Sequence, residues 1–182
     1  AKVIDKLSEL EAAVITFDII LSEHEQNDRV LADSISKAGN VILPVVFFFN
    51  ENAPEELTII SSAFPVLNTQ NLKRYHPISS KNVLVCQKIL AENAAGFGHI
   101  NMFPDPDGTI RWEVLFIEYY GYMIPSLSLK TVSMYLGIPP EKQAIDANRG
   151  VYLGKRYIPT DPWGRFLIPY YGGNAVSYNH LT

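Results

Sequence analysis

Cysteine is nearly absent from this sequence of 182 residues, which contains only Cys86. A single cysteine excludes a disulfide framework within the chain and a zinc site built from several cysteines. It says little about the cellular compartment, because a chain of this length can bury a sufficient core without disulfides. We expect Cys86 to be a small core side chain.

Clusters of basic residues are also absent. The chain has 15 Lys and Arg against 19 Asp and Glu, a formal net charge of -4 and a pI near 5.5. Lys73-Arg74 and Lys155-Arg156 are isolated pairs. Because nucleic-acid binding depends on clustered cations that neutralise phosphates, the sequence argues against a nucleic-acid partner.

Long hydrophobic runs are missing as well. A membrane helix needs roughly 20 apolar residues, and the longest candidate, VILPVVFFF, is far shorter and contains Pro44. That run predicts a buried strand. There is no signal peptide, and the chain opens without Met on AKVIDKLSEL, in a helical pattern. We expect an excised piece of a longer protein, attached to a membrane only through segments outside this chain.

What is present is typical of an ordinary folded protein, with 47% hydrophobic and 19% charged residues. The run AAVITFDII (12–20) predicts a buried strand. NDRVLADSISKAG (27–39) predicts a helix that Asn27 or Asp28 can cap and Gly39 can end. NVILPVVFFF (40–49) predicts a second buried strand, and this order suggests a right-handed parallel crossover.

Three further helices are predicted from apolar spacing. They cover the first ten residues, about 80 to 95, and 126 to 137, where Ser126 is a good cap. Residues 50 to 79 predict mainly loop, with one short element. The inward faces of the three helices are expected to be Val3, Leu7 and Leu10; then Val83, Cys86, Leu90 and Ala94; then Leu129, Val132 and Leu136.

The final third is rich in predicted strands. Gly154-Lys155 joins two short apolar runs as a two-residue hairpin turn. The whole pattern predicts an α/β fold, a mixed sheet with flanking helices and a hairpin-rich C-terminal third. We expect one domain over 1–182, with its core at about 3–173 and a loose tail at 174–182.

The sequence Asp105-Pro106-Asp107-Gly108 raises the question of a metal site. A helix-loop-helix calcium loop needs Gly at position 6 and Glu at position 12, whereas here glycine is fourth and Phe116 is twelfth. A β-turn fits the same residues, because Pro presets φ and Gly accepts a positive φ. Apolar residues then alternate through Phe116, which predicts that this turn joins two strands of a hairpin.

A second copy of the pattern supports the turn. In Asp161-Pro162-Trp163-Gly164, tryptophan replaces the second carboxylate, and the strand-like RFLIPY again follows. A pattern that recurs without the second potential ligand indicates backbone chemistry. We therefore predict two structural turns, no metal site and no cofactor.

Three residues are candidates for binding a ligand. Asp18 ends the first apolar run, and ligands of α/β sheets bind beyond the carboxyl ends of strands. His99 borders the predicted hairpin and could contact a ligand, and the Arg111 guanidinium could pair with a carboxylate. The structural alternative for Asp18 is a turn or cap acceptor, or a buried partner for a basic residue. For His99 it is a hydrogen-bonded strand histidine, and for Arg111 a surface cross-strand pair with an acid.

Signatures of catalysis are absent. The sequence lacks the GxSxG nucleophile elbow and the GxxxxGK phosphate loop, GFGHIN lacks the third glycine of a dinucleotide fingerprint, and SEHEQND does not match HExxH. An α/β hydrolase or transferase would require Asp18, His99 and Asp107 to converge around a cleft. We regard it as the third hypothesis, after a sensor and a structural module.

In their order along the chain, several segments resemble the type 2 CHASE domain, the extracellular sensory module of bacterial cyclases, histidine kinases and related receptors. Family members usually begin with a membrane anchor and an early strand and end with further strands, and we expect these segments to lie outside this excised piece. The resemblance implies no catalytic residue and no defined ligand. The similar segments are FDIILSE, NDRVLADSISKAGNVILP, GFGHINMFPDPDGTIRWEVLFI, IPSLSL and RYIPTDPWGRFLIPYYGG.

The resemblance implies a non-enzymatic signal-input domain on the extracytoplasmic face, tethered to the cell membrane in the full-length protein. An attached cytoplasmic kinase or cyclase would provide the output. The partner would be a small molecule of unknown identity, bound near Asp18, His99 and Arg111. The alternative is a ligand-free structural or dimerisation module, since the 10 tyrosines and 9 phenylalanines also suit a homodimer interface.

Overall fold

The computed structural model describes residues 1–50, 53–67, 75–146 and 150–170, and it confirms the α/β class with several mixed sheets. The predicted tail at 174–182 lies outside the described residues. The helices are α1 (Lys2–Glu9), α2 (Asp28–Ala38), α3 (Lys88–Ala91) and α4 (Leu127–Tyr135), with 3-10 turns at Leu57–Ser62 and Pro140–Lys142. Among the described residues, no helix is long and apolar enough to cross a membrane.

The strands form four small sheets. Strand β2 is the centre of the first: β1 and β6 pair with it in parallel and β5 antiparallel. The others have the orders β12-β11-β10-β3, β4-β8-β9 and β13-β7. The strands are β1 (Ile15–Thr16), β2 (Val41–Phe48), β3 (Val66–Leu67), β4 (Ser79–Ser80), β5 (Asn82–Leu84), β6 (Gly96–His99), β7 (Trp112–Val114), β8 (Phe116–Tyr119), β9 (Tyr122–Pro125), β10 (Gln143–Asp146), β11 (Gly150–Leu153), β12 (Arg156–Pro159) and β13 (Arg165–Leu167).

The predicted unit β1-α2-β2 is confirmed as two parallel strands joined by a helix. Strand β2 is almost wholly buried because both of its edges are paired, which agrees with its continuous apolar sequence. Helix α2 ends at Gly39, whose φ of 67° is left-handed and suits glycine at a helix end. The expected first strand is much shorter, since only Ile15 and Thr16 are in β1.

Helix α1 is present, but its predicted inward face is wrong. Ile4 is buried and Leu7 packs against the core, whereas Val3 and Leu10 are exposed. Ile4 and Leu7 are three residues apart, and Val3 and Leu7 are four apart. Both spacings place two side chains on one face of a helix, so the sequence does not distinguish the face with Ile4 from the face with Val3. The side on which the core lies decides which one is buried.

The helix predicted from about 80 to 95 is wrong over most of its length. Residues 79–80 and 82–84 are strands, and only Lys88–Ala91 is helical. Strand β5 forms a ladder with the end of β2, and this tertiary pairing overrides a spacing that also fits a helix. Cys86 and Leu90 are nevertheless buried, which confirms Cys86 as a core side chain.

In the C-terminal third the hairpin at Gly154-Lys155 is confirmed: β11 and β12 pair antiparallel, with Leu153 opposite Arg156. Helix α4 starts at the predicted cap, where the Ser126 hydroxyl accepts a hydrogen bond from the Leu129 N–H. Its predicted inward Val132, however, is 44% exposed. The predicted inward Leu129 is confirmed as buried, and Ser133 is the other buried residue of α4.

Candidate functional site

The segment at Asp105–Gly108 is a β-turn. The Gly108 N–H donates to the Asp105 carbonyl at 2.8 Å, and the Asp105 N–H donates to the Thr109 carbonyl at 2.9 Å. Gly108 has a φ of 80°, a value that favours glycine. The turn does not join a hairpin, because β6 before it pairs with β2 and β7 after it pairs with β13. The predicted turn is confirmed, and the predicted hairpin is wrong.

Both carboxylates of this turn bind Arg111. Its Nη1 lies 2.8 Å from Asp105 Oδ2, and its Nη2 lies 2.6 Å from Asp107 Oδ2. The hydrogen bonds from Arg111 hold the pKa of the Asp107 carboxyl well below its usual range, and Thr109 N–H adds to this effect. Arg111 therefore forms a surface pair with acids, as its structural alternative predicts, but within one turn rather than across two strands, and both terminal nitrogens of the guanidinium have partners.

The second turn has the same backbone. The Gly164 N–H donates to the Asp161 carbonyl and the Asp161 N–H to the Arg165 carbonyl, both at 3.0 Å, and the φ of Gly164 is 76°. Asp161 Oδ2 accepts from Arg165 Nε at 2.7 Å. The Arg165 guanidinium also lies over the rings of Trp112 and Trp163. Within the described residues, no group of three or more His, Cys, Asp or Glu side chains could hold a metal ion.

A cavity of about 550 Å³ opens where parallel strands β1 and β6 end. Asp18, just after β1, and His99, the last residue of β6, both line it. The first turns of α4 form the opposite side, and the Thr131 hydroxyl lies 3.0 Å from that of Thr16. The sheet edge at which strands end is the usual place for ligands in α/β folds. Asp18 and His99 therefore meet at one cavity, whereas Arg111 does not line it.

Asp18 is exposed in this cavity. No hydrogen bond or ion pair engages its carboxylate within the described part of the chain. It is thus a negative charge at the cavity mouth that remains available to a ligand. A turn or cap role, the structural alternative predicted for Asp18, has no supporting contact among these residues.

The imidazole of His99 is buried rather than presented to solvent. Its ring contacts Phe47 with centroids 6.2 Å apart, and both ring nitrogens lack a hydrogen-bond partner among the described residues. Because burial penalises the charged form, the pKa of His99 falls to about 3. The ring lies on the same sheet face as that of Phe97, two residues earlier, and so opposite to Gly98. The imidazole therefore faces away from α4 and presents no titrating group to the cavity, and the hydrogen-bonded histidine predicted as its alternative is not seen among the described residues.

Gly98 allows α4 to approach this edge closely. A Cβ on Gly98 would lie 2.5 Å from the Leu127 Cα and 2.7 Å from its backbone nitrogen. The Ser126 cap also forms a β-bridge with His99. The amino end of α4 therefore rests directly on the backbone of β6, which holds the α4 side of the cavity against the strand end.

The α4 side of the cavity was not predicted from the sequence. Glu113 and Ser128 line it, with the Ser128 hydroxyl donating to Glu113 Oε1 at 2.7 Å. Val132, predicted as core, lines it with an exposed side chain. The segment Ser126-Leu127-Ser128 at a helix start indicates hydroxyl groups at this place. Their partner Glu113 lies on another strand earlier in the chain, so the pairing cannot be predicted from the sequence.

The hydrolase hypothesis receives no support from this geometry. Asp18 and His99 line the cavity, but Asp107 is engaged with Arg111 in the turn and is not among the lining residues. His99 also has no hydrogen bond to an acid or a nucleophile among the described residues. The three side chains do not form the relay that acid–base chemistry requires.

Comparison with known proteins gives one match. The model of the CHASE2 domain family matches residues 1–182, which is the whole chain. No curated protein and no solved structure matches the chain.

Proposed function

Because the chain belongs to the CHASE2 domain family, we propose that it is the signal-input domain of a membrane-anchored bacterial receptor. The family consists of extracytoplasmic, non-catalytic sensory domains of signalling receptors. In our proposal, segments outside this chain tether the domain to the cytoplasmic membrane. The output is a histidine kinase or an adenylate or diguanylate cyclase in the cytoplasm.

The main support for a specific input site is the cavity between the strand ends and α4. It is large enough for a small molecule. Its walls are the loop after β1, the end of β6 and the first turns of α4. A ligand signals only if it binds two arrangements of the domain with different affinity. A molecule that contacts Asp18 on one wall and α4 on the other favours arrangements in which these walls are close.

A cysteine label tests on which side of the membrane the domain lies. Asp33 on α2 is exposed and has no ion pair among the described residues, so Asp33→Cys adds an accessible thiol. Cys86 is buried with a raised pKa and provides little reactive thiolate. In the full-length protein we expect a membrane-impermeant maleimide to label Asp33→Cys in intact cells and the unsubstituted protein to stay unlabelled. Labelling only after lysis would contradict the proposal.

A second candidate function, dimerisation without a ligand, is favoured by the exposed apolar surface near the same cavity. Met102, Val132 and Tyr135 are 69%, 44% and 64% exposed. A second copy that covers these side chains would explain them. Sedimentation across a range of concentrations distinguishes the two functions, because a dimer that loses affinity on Val132→Arg would support the structural module.

A further inference from the structure

A second cavity joins the first along α4. It measures about 480 Å³, and Glu113, Ser128 and Val132 line both cavities. The first cavity has the polar groups at the strand ends, whereas the second lies between α4, β12 and the β7-β13 pair. The two cavities adjoin at these three shared residues, and we treat the pair, with its polar end and its apolar end, as one site that we call the α4 groove.

The polar end of the α4 groove carries negative charge only. Asp18 and Glu113 are its carboxylates, and no lysine or arginine is among the described residues that line either cavity. His99 stays neutral because of its burial. Arg111, two residues before Glu113, is held by the first turn, and Arg165, next to Phe166, is held by the second. Arg156, next to Tyr157, is exposed and is not a lining residue of either cavity.

The amino end of α4 opposes this charge only partly. A helix end has about half a positive charge, which is less than the two carboxylates together. Part of it is already satisfied, since the Leu129 N–H donates to the Ser126 hydroxyl. The Ser128 hydroxyl donates to Glu113, so it offers no free donor to an anion. The net field at the polar end favours a cation.

The apolar end offers hydrophobic contact. Its walls include Leu115, Tyr157, Phe166 and Ile168. Among its described lining residues, Glu113 is the only charged side chain, and Ser128 and Tyr157 are the only ones with a hydroxyl group. An apolar molecule that leaves water for this surface gains free energy in proportion to the area it buries. A ligand that occupies both ends must therefore combine a polar head with an apolar body.

We propose that the α4 groove binds organic cations that carry an apolar body, with the ammonium group at Asp18 and Glu113 and the body beside Phe166. The proposal rests on the proposed sensory function and deepens it, because it names the chemical class that the input site selects. The two carboxylates, with no lysine or arginine among the described lining residues, favour a ligand with a cationic head. The adjoining apolar cavity favours an apolar body.

Titration calorimetry of this chain with matched probes tests the class. We use octylammonium and octanoate below their micelle-forming concentrations, since they share the tail and differ in the sign of the head. Octylammonium is expected to bind about tenfold more tightly than octanoate, because the head meets two carboxylates that each contribute as an exposed pair does. Added salt should reduce this preference. Equal or tighter binding of octanoate overturns the proposed class.

Variants locate the binding. Asp18→Asn is expected to weaken octylammonium binding about threefold, and Asp33→Asn on α2 is the matched control that should leave it unchanged. Val132→Arg, which places bulk and positive charge where the cavities meet, should abolish it, with Val30→Arg on α2 as control. Circular dichroism of each variant verifies the fold. Binding that survives both Asp18→Asn and Val132→Arg undiminished overturns the proposal.

The outcomes separate this proposal from the proposed function. If octanoate is preferred but Val132→Arg abolishes its binding, the ligand class is overturned and the input site stands. If neither probe binds and sedimentation shows a dimer that Val132→Arg dissociates, a second copy occupies the groove and the proposed class is again overturned. The proposed receptor orientation is tested independently by the maleimide label.

Discussion

Two turns of this domain share the residues Asp-Pro-x-Gly and one backbone shape, but their surroundings differ. Gly108 and Gly164 have φ values of 80° and 76°. A Cβ on Gly108 would meet nothing within 4 Å, whereas on Gly164 it would lie 2.4 Å from the ring of buried Phe116. The comparison teaches that local sequence determines the shape of a turn, and that tertiary packing determines how much the fold depends on it.

The largest expected difference is between Gly164→Ala and Gly108→Ala. Alanine at either position has a left-handed backbone, which costs roughly 1 kcal/mol. At Gly164 the added methyl must also displace the Phe116 ring, and overpacking of this kind adds about 1–3 kcal/mol. In urea unfolding, the free energy of unfolding should fall by about 3 kcal/mol for Gly164→Ala and by about 1 kcal/mol for Gly108→Ala. Equal losses would contradict the proposed difference in packing.

A smaller difference is expected between the leading aspartates. Asp161 Oδ1 accepts from the N–H groups of Trp163 and Arg165, and its Oδ2 accepts from Arg165 Nε. Within the described part of the chain, the Asp105 carboxylate accepts only from the Arg111 side chain, at the protein surface. Asp161→Ala should cost about 2 kcal/mol, because backbone donors and a guanidinium lose their acceptor, and Asp105→Ala less than about 1 kcal/mol.

Thermal unfolding at neutral pH measures both effects, and Asp161→Asn is the matched control because it retains one acceptor oxygen. It should recover part of the stability that Asp161→Ala loses. A larger loss for Asp105→Ala than for Asp161→Ala would show that the exposed turn supports the fold more than the packed one does.

The smallest effect is the pH dependence of the first turn. The pKa of Asp107 is lowered in the folded state by Arg111. In the unfolded chain the pKa of this carboxyl is about 4. Because folding lowers it, ionised Asp107 stabilises the fold above that pH, and this stabilisation is lost as the pH falls below it. The difference in stability between the unsubstituted chain and Asp107→Asn should therefore shrink between pH 4 and pH 2. Because this carboxylate is exposed, we expect the difference to be small. Growth of the difference in acid would contradict the pairing.

The features that depend on nearby residues could be predicted from sequence. Both turns, the hairpin at Gly154-Lys155, the end of α2 at Gly39 and the Ser126 cap are set by residues within a few positions of each other. These signals are strong because glycine, proline and hydroxyl side chains have specific backbone effects. The position of Asp18 beyond a strand end also followed from the order of predicted elements.

The features that depend on distant pairing could not be predicted. Strand β7 pairs with β13, more than fifty residues later, so the turn at Asp105 does not close a hairpin. Residues 82–84 become a strand because the end of β2 has a free edge there. Likewise, Val132 lines the candidate site because α4 rests on β6 at Gly98. Glu113 lines it because β7 lies beside α4, where Ser128 donates to its carboxylate. Sequence spacing cannot specify which edges and faces meet.

The central claim is that the signal enters through the α4 groove and that the acidic turn is structural. The output of the full-length receptor tests it most directly, measured under two growth conditions between which the unsubstituted receptor responds. We predict that Val132→Arg abolishes the response, whereas Asp107→Asn and the control Val30→Arg retain it. A response that survives Val132→Arg and is lost in Asp107→Asn would contradict the account.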